Sequence, residues 1–181
     1  DGFAELVYGS YLDVINAAAK ETYVEIGPGF LVDDRVVLNT RNVQDIVITD
    51  LNEDGHNELL LATHNNYGGT NSHSGIYWGT ESGAGSEEWG DYYKAILPTI
   101  GATTLAVADL DSDGHLDMAF ANHDYQRNNG LPKEYSVDSY VYWGPFSPEE
   151  SFLGEDDYTE FTEHTELATL GAQGVVIIGG K

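Results

Sequence analysis

The sequence predicts an all-β chain of repeated blades, each made of four antiparallel strands, and three observations predict it. The segment Asp50-Leu51-Asn52-Glu53-Asp54-Gly55-His56-Asn57-Glu58-Leu59 superposes on Asp109-Leu110-Asp111-Ser112-Asp113-Gly114-His115-Leu116-Asp117-Met118, and the same offset pairs Thr40 with Thr99 and His64 with His123. A second motif recurs with it: Ile76-Tyr77-Trp78-Gly79 matches Val141-Tyr142-Trp143-Gly144, and residues 22–28 match residues 139–145. Short apolar runs alternate with clusters of Gly, Asn and Ser, the punctuation of strands and turns. A four-stranded unit of this kind cannot bury both faces alone and stacks against copies of itself, which is the logic of a β-propeller blade.

Taken in chain order, residues 1–42 read as a partial blade holding strands B, C and D, because Asp1 to Leu6 falls on Asp113 to Met118. The sole helix candidate, Leu12 to Lys20, lies in its B–C connection. Residues 43–101 read as a full blade. Its strand A is Val43 to Thr49, where Ile46-Val47-Ile48 forms the continuous apolar run of a strand buried on both faces. Strand B is Glu58 to Thr63, strand C is Gly75 to Thr80 and strand D is roughly Tyr92 to Leu97. Residues 102–171 read as a second full blade with insertions, and residues 172–181, with Val175-Val176-Ile177-Ile178, as strand A of a further or closing blade. The whole chain, 1–181, is a single repeat array. Three blades are fewer than a closed ring normally holds, so the array is expected to be a partial propeller or a ring closed by association of copies. In principle the terminal strand A completes the first blade. The one methionine, Met118, implies a trimmed or excised chain with sequence upstream.

Charge narrows the function. The chain carries 31 acidic and 7 basic side chains, a formal net charge of −24, with 41% hydrophobic residues, enough for a folded core. Such a field repels phosphate backbones and anionic headgroups, which argues against nucleic acid and membrane surfaces as partners. The longest apolar run, Gly174 to Gly180, is too short to span a bilayer. With no cysteine there is no disulfide, thiolate nucleophile or cysteine-ligated zinc.

The repeated loop presents oxygen ligands at positions 1, 3 and 5, a glycine at 6 and a carboxylate at 9. Calcium takes six to eight oxygens at about 2.3–2.6 Å, and alternate side chains on a curled loop converge on one point. The expected ligands are Asp50, Asn52, Asp54 and Glu58 with the carbonyl of His56, and Asp109, Asp111, Asp113 and Asp117 with the carbonyl of His115. An EF-hand would need a glutamate at position 12, where Leu61 and Phe120 stand instead. A plain polar turn is the bland reading; two copies in register, each crowding carboxylates that repel one another without a cation, favour the metal.

On these loops, on Tyr77 to Gly79 and Tyr142 to Gly144, and on Leu97 to Ala102, the chain resembles the FG-GAP or VCBS repeats of integrin-alpha-like β-propellers, over nearly its whole length. The resemblance implies a seven-bladed or similar propeller, secreted or at the cell surface, with Ca2+ between strands A and B of a blade and a role in protein or glycan binding, as in cell adhesion. Two calcium sites are expected: the first loop keeps only Asp1 and Glu5, and the last has Gly179, Gly180 and Lys181 at ligand positions.

His56 and His115 sit in the loops, and His64 and His123 recur through the repeat, so none has the spacing of a zinc or acid–base cluster. Tyr77, Trp78, Tyr142 and Trp143 recur at fixed positions and are expected between blades rather than on a sugar platform. Ligand-binding candidates fall in the B–C insertions: Asn65 and Tyr67, then His123, Asp124, Tyr125 and Arg127. The leading expectation is a calcium-stabilised extracellular module that binds or scaffolds protein or glycan, more a binder than an enzyme, because no serine elbow, phosphate loop or histidine triad occurs. Part of a lyase-like enzyme acting on polysaccharide is the alternative, and adaptation to high salt a third account of the acidity. Self-association, or the remaining blades of a larger chain, would supply further partners.

Overall fold

The computed structural model describes residues 6–9, 21–25, 29, 35–38, 40, 42–64, 72–79, 95–99, 101–122, 139–148 and 158–161. Among them every regular element is a strand. They form β1 (Leu6–Tyr8), β2 (Thr22–Glu25), β3 (Val36–Leu38), β4 (Val43–Thr49), β5 (Glu58–Thr63), β6 (Ser72–Tyr77), β7 (Ala95–Thr99), β8 (Ala102–Ala108), β9 (Asp117–Asn122), β10 (Ser139–Tyr142) and β11 (Tyr158–Phe161). Three antiparallel sheets result, β1-β2-β3, β4-β5-β6-β7 and β8-β9-β10-β11, each pairing its strands in chain order. The fold is all-β and built of propeller-like blades. The helix candidate Leu12 to Lys20 and residues 172–181 lie outside the described residues.

The middle sheet shows why the blades stack. Every residue of β5 is buried, and successive side chains go to opposite cores. Leu59 and Leu61 join Val24, Leu38, Val43 and Tyr77 against the first sheet. Leu60, Ala62, Ile76 and Trp78 join Leu105, Met118, Phe120 and Tyr142 against the third. Full burial of one such aliphatic side chain contributes about 1.5–3 kcal/mol, so both neighbours stabilise the central blade. The Tyr-Trp-Gly residues sit in these seams: Tyr77 and Tyr142 are fully buried and Trp78 nearly so. From the third sheet, Tyr142 donates its hydroxyl to the Pro98 carbonyl of β7, 2.5 Å away, and meets Phe120 edge-on at 5.9 Å.

Bulges recur at the same repeat position, between Val43 and Asp45 in β4 and between Ala102 and Thr104 in β8. The second bulge is stitched to the neighbouring blade, where Asp45 Oδ2 accepts the Thr104 hydroxyl at 2.7 Å and the Leu105 N–H at 2.9 Å.

Strands A and B of the middle blade have the expected bounds, but strand A is not buried on both faces, since Ile48 near its end is 51% exposed, and C and D are shifted. Strand C runs from Ser72 to Tyr77 rather than from Gly75 to Thr80. It stops at Tyr77 because the Gly79 N–H turns from the ladder to the Glu58 carboxylate. Strand D runs from Ala95 to Thr99 rather than from Tyr92 to Leu97, and so passes through Pro98. β7 is an edge strand, where a missing N–H costs no ladder bond, and Thr99 Oγ1 at its end accepts the Ser74 N–H at 3.2 Å.

Candidate metal centre

Both A–B loops are folded by their own acidic side chains. Asp50 accepts the Asp54 N–H on Oδ1 and the Gly55 N–H on Oδ2, each at 3.0 Å. Asp109 Oδ2 accepts the Gly114 N–H at 3.1 Å. At position 3, Asn52 Oδ1 takes the Asp54 N–H at 3.2 Å and Asp111 Oδ1 the Asp113 N–H at 3.0 Å. At position 5, Asp54 and Asp113 each take the N–H of the following histidine at 2.8 Å. Alternate side chains are thereby turned to the inside of the bend.

The backbone bends at two points. Gly55 and Gly114 have φ of 92° and 98°, with nothing within 4 Å of an added Cβ, so glycine is required there by conformation and not by space. Position 4 is left-handed too, at 62° in Glu53 and 66° in Ser112, a region that non-glycine residues seldom adopt.

The ninth residue latches the loop to the blade. Glu58 Oε2 accepts the Leu51 N–H at 2.6 Å and Oε1 the Gly79 N–H at 3.2 Å. Asp117 repeats the pattern, with Oδ2 on Leu110 N at 2.7 Å and Oδ1 on Gly144 N at 2.9 Å. Both carboxylates are buried. An added Cβ at Gly79 would collide with the Asn57 carbonyl, and one at Gly144 with the Leu116 carbonyl. The last residue of the Tyr-Trp-Gly motif is therefore glycine so that strand C can pass against the loop and bond its final carboxylate.

Two electrostatic consequences follow. Burial pushes the Glu58 carboxyl above its usual range, against the pull of the Leu51 and Gly79 N–H groups, and the nearby Asp54 charge adds to the rise. Burial also works to raise Asp54, but its bonds from Asn52 and from the His56 N–H outweigh it and hold the group low. The two loops lie side by side on adjacent blades, with His115 Nδ1 4.0 Å from Glu53 Oε1.

Among the described residues, Asp109, Asp111 and Asp117 form the one group of three side chains whose carboxylate oxygens all lie within 4.8 Å of one another. Oxygens on a coordination sphere of 2.3–2.6 Å radius are at most about 5 Å apart, so this set has the size and the all-oxygen chemistry of a calcium shell. At the matching positions of the other loop stand Asp50, Asn52 and Glu58, two carboxylates and an amide. Asp54 and Asp113 stand at position 5 outside that group, and His56 and His115 occupy position 7. The expected ligand-binding residues Asn65, Tyr67, His123, Asp124, Tyr125 and Arg127 lie outside the described residues.

Residues the loop pattern did not disclose are Leu51, Leu110, Gly79 and Gly144, which satisfy the ninth carboxylate; the repeated Tyr-Trp-Gly carried the only hint of the glycines. Stacked four-stranded blades with an acidic bend between strands A and B define the class of this protein. Residues 50–120 match the family described as FG-GAP-like repeat, a stretch that begins at the first residue of one loop and ends just past the last carboxylate of the other. No curated protein and no solved structure matches the chain.

Proposed function

We propose that the protein is a calcium-stabilised propeller module, extracellular, that binds or scaffolds protein or glycan. The convergence of Asp109, Asp111 and Asp117 carries the reading. In this account each loop takes one Ca2+, held by Asp109, Asp111, Asp113 and Asp117 with the His115 carbonyl in one, and by Asp50, Asn52, Asp54 and Glu58 with the His56 carbonyl in the other. The ion supplies positive charge to a cluster of inward-turned anions. The latch then carries that order to the blade: Glu58 and Asp117 tie the loop to the end of strand C, whose tyrosine is packed in the seam. Extracellular calcium, at millimolar levels, fills even weak sites of this kind. Calorimetric titration of the chelator-treated protein with calcium tests the proposal, together with melting in calcium and in chelator. Uptake with a raised melting temperature is expected; no heat at low-millimolar calcium and identical melting curves would sink it.

A further inference from the structure

One apolar seam joins the two acidic loops, and it is built from chain neighbours of the residues that latch them. In the first loop Glu58 accepts the N–H groups of Leu51 and Gly79 at 2.6 and 3.2 Å. The side chains of Leu51 and of Trp78, the residue before Gly79, are both buried in the seam between the second and third sheets. In the second loop the matching carboxylate is Asp117, and both its chain neighbours enter the same seam: Met118 is fully buried in it, and Leu116 packs partly buried against it. Phe146, two residues beyond the Gly144 whose N–H Asp117 accepts, joins them.

A close-packed apolar contact transmits displacement, because it has few voids to absorb one. The other contact between the loops runs from His115 Nδ1 to Glu53 Oε1, at 4.0 Å, with side chains 46% and 57% exposed. A pair so open to water couples weakly, so the buried route dominates. Resting on the calcium reading above, we propose that the two loops fill cooperatively, with Leu51 as the coupling residue. In the empty first loop the charges of Asp50, Asp54 and Glu58 repel one another. Once those charges are neutralised, Glu58 fixes the N–H groups of Leu51 and Gly79, and with them the side chains of Leu51 and Trp78 in the seam. Leu116 and Met118, packed in that seam, then hold Asp117 where it converges with Asp109 and Asp111. Coupling between sites is reciprocal, so a filled second loop favours filling of the first by the same factor. The second loop has four carboxylates against three and fills first, so the effect is read in the first.

NMR titration of the whole chelator-treated chain with calcium chloride, in about 0.15 M salt to screen direct repulsion between the loops, tests this through the Gly55 amide. The paired substitution Asp109→Asn with Asp111→Asn removes two charges from the second loop and leaves each position an acceptor oxygen for the bend, so that loop stays empty while the first fills. In this variant the dissociation constant of the first loop should rise roughly fivefold, the lower end of coupling between sites. The Leu116 methyl signals should also shift with the same midpoint as Gly55, although the second loop is empty. Leu51→Ala should abolish the difference made by the paired substitution, Leu51→Met, which keeps the apolar volume, should restore it, and Glu53→Gln should leave it unchanged. Calcium binding to the first loop that ignores the paired substitution, a difference that survives Leu51→Ala, or Leu116 signals that stay fixed while Gly55 moves would overturn the coupling and leave the calcium sites standing. Gly55 and Gly114 signals that both stay fixed would remove the calcium reading and the coupling with it.

Discussion

In the loop from Asp50 to Glu58 and in the loop from Asp109 to Asp117, the same positions bend the backbone and the same latch ties it to strand C. Their third residues differ, an amide in Asn52 and a carboxylate in Asp111. Both nevertheless accept the N–H two residues on, at 3.2 and 3.0 Å. Folding of the bend asks only for an acceptor oxygen and is indifferent to charge. Binding of a cation is not indifferent, because affinity in oxygen sites follows the number of charged ligands. The comparison separates what shapes the loop from what fills it.

The broadest way to break the likeness between the loops is to withhold the proposed calcium from both. With calcium at about one hundred times the dissociation constant, a filled site adds about 2.7 kcal/mol, so chelator should lower the melting temperature by roughly 5–10 °C for each occupied loop. Equal melting with and without chelator would contradict this.

The latch can be broken one loop at a time. Gly79→Ala and Gly144→Ala each force a methyl group against a carbonyl and pull an N–H from a buried carboxylate, for an expected loss on the order of 3 kcal/mol in urea unfolding. The loss should be similar in both, since both latches have the same partners. Substitution at Gly55 or Gly114, where space is open, should instead cost about 1 kcal/mol, from strain alone.

Exchanging the third residues sharpens the comparison. Asp111→Asn should weaken calcium binding in its loop roughly tenfold, about 1.4 kcal/mol, and Asn52→Asp should strengthen the other by a similar factor. Neither should change chelator-treated stability by more than about 0.5 kcal/mol, because the bend keeps its acceptor. An unchanged affinity in both variants would remove charge count from the account.

A pH series in chelator separates the latch from the first sheet. Glu58 has a raised folded pKa, so the native state holds its proton more tightly than the unfolded chain. Its contribution is greatest below the unfolded pKa and is lost as pH rises through the folded value. Glu25 is held low, first by the Arg35 hydrogen bonds and then by that from Tyr8. Its contribution is present above the unfolded pKa and is lost as pH falls through the folded value. Glu58→Gln should therefore remove a fall in stability with rising pH, and Glu25→Gln a rise. The same sign of change in both would be a contradiction. The smallest effect belongs to the contact between the loops: His115→Ala, removing a solvent-exposed pair at 4.0 Å, should cost no more than a few tenths of a kcal/mol.

How much of this was legible in the sequence depends on distance along the chain. The spacing of Asp, Gly and the ninth carboxylate is local, and it located both loops and strands A and B of the middle blade. Strands C and D slipped because their ends are set by contacts from elsewhere: Gly79 leaves its ladder for Glu58, 21 residues away, and Thr99 meets Ser74, 25 residues away. The left-handed Glu53 and Ser112 carry no residue signal, since neither type favours that region. Glu25 lies in a strand that aligned with Ser139 to Tyr142, yet an acidic side chain at a tyrosine position reveals its role only once Arg35 is placed beside it.

The most direct test of the central claim follows the amide signals of Gly55 and Gly114 by NMR during a calcium titration, because each reports one loop. The account predicts that both signals move, and that the Gly114 signal moves at the lower calcium concentration. Signals that both stay fixed to about 10 mM calcium, well above the weakest sites of extracellular modules, would contradict it.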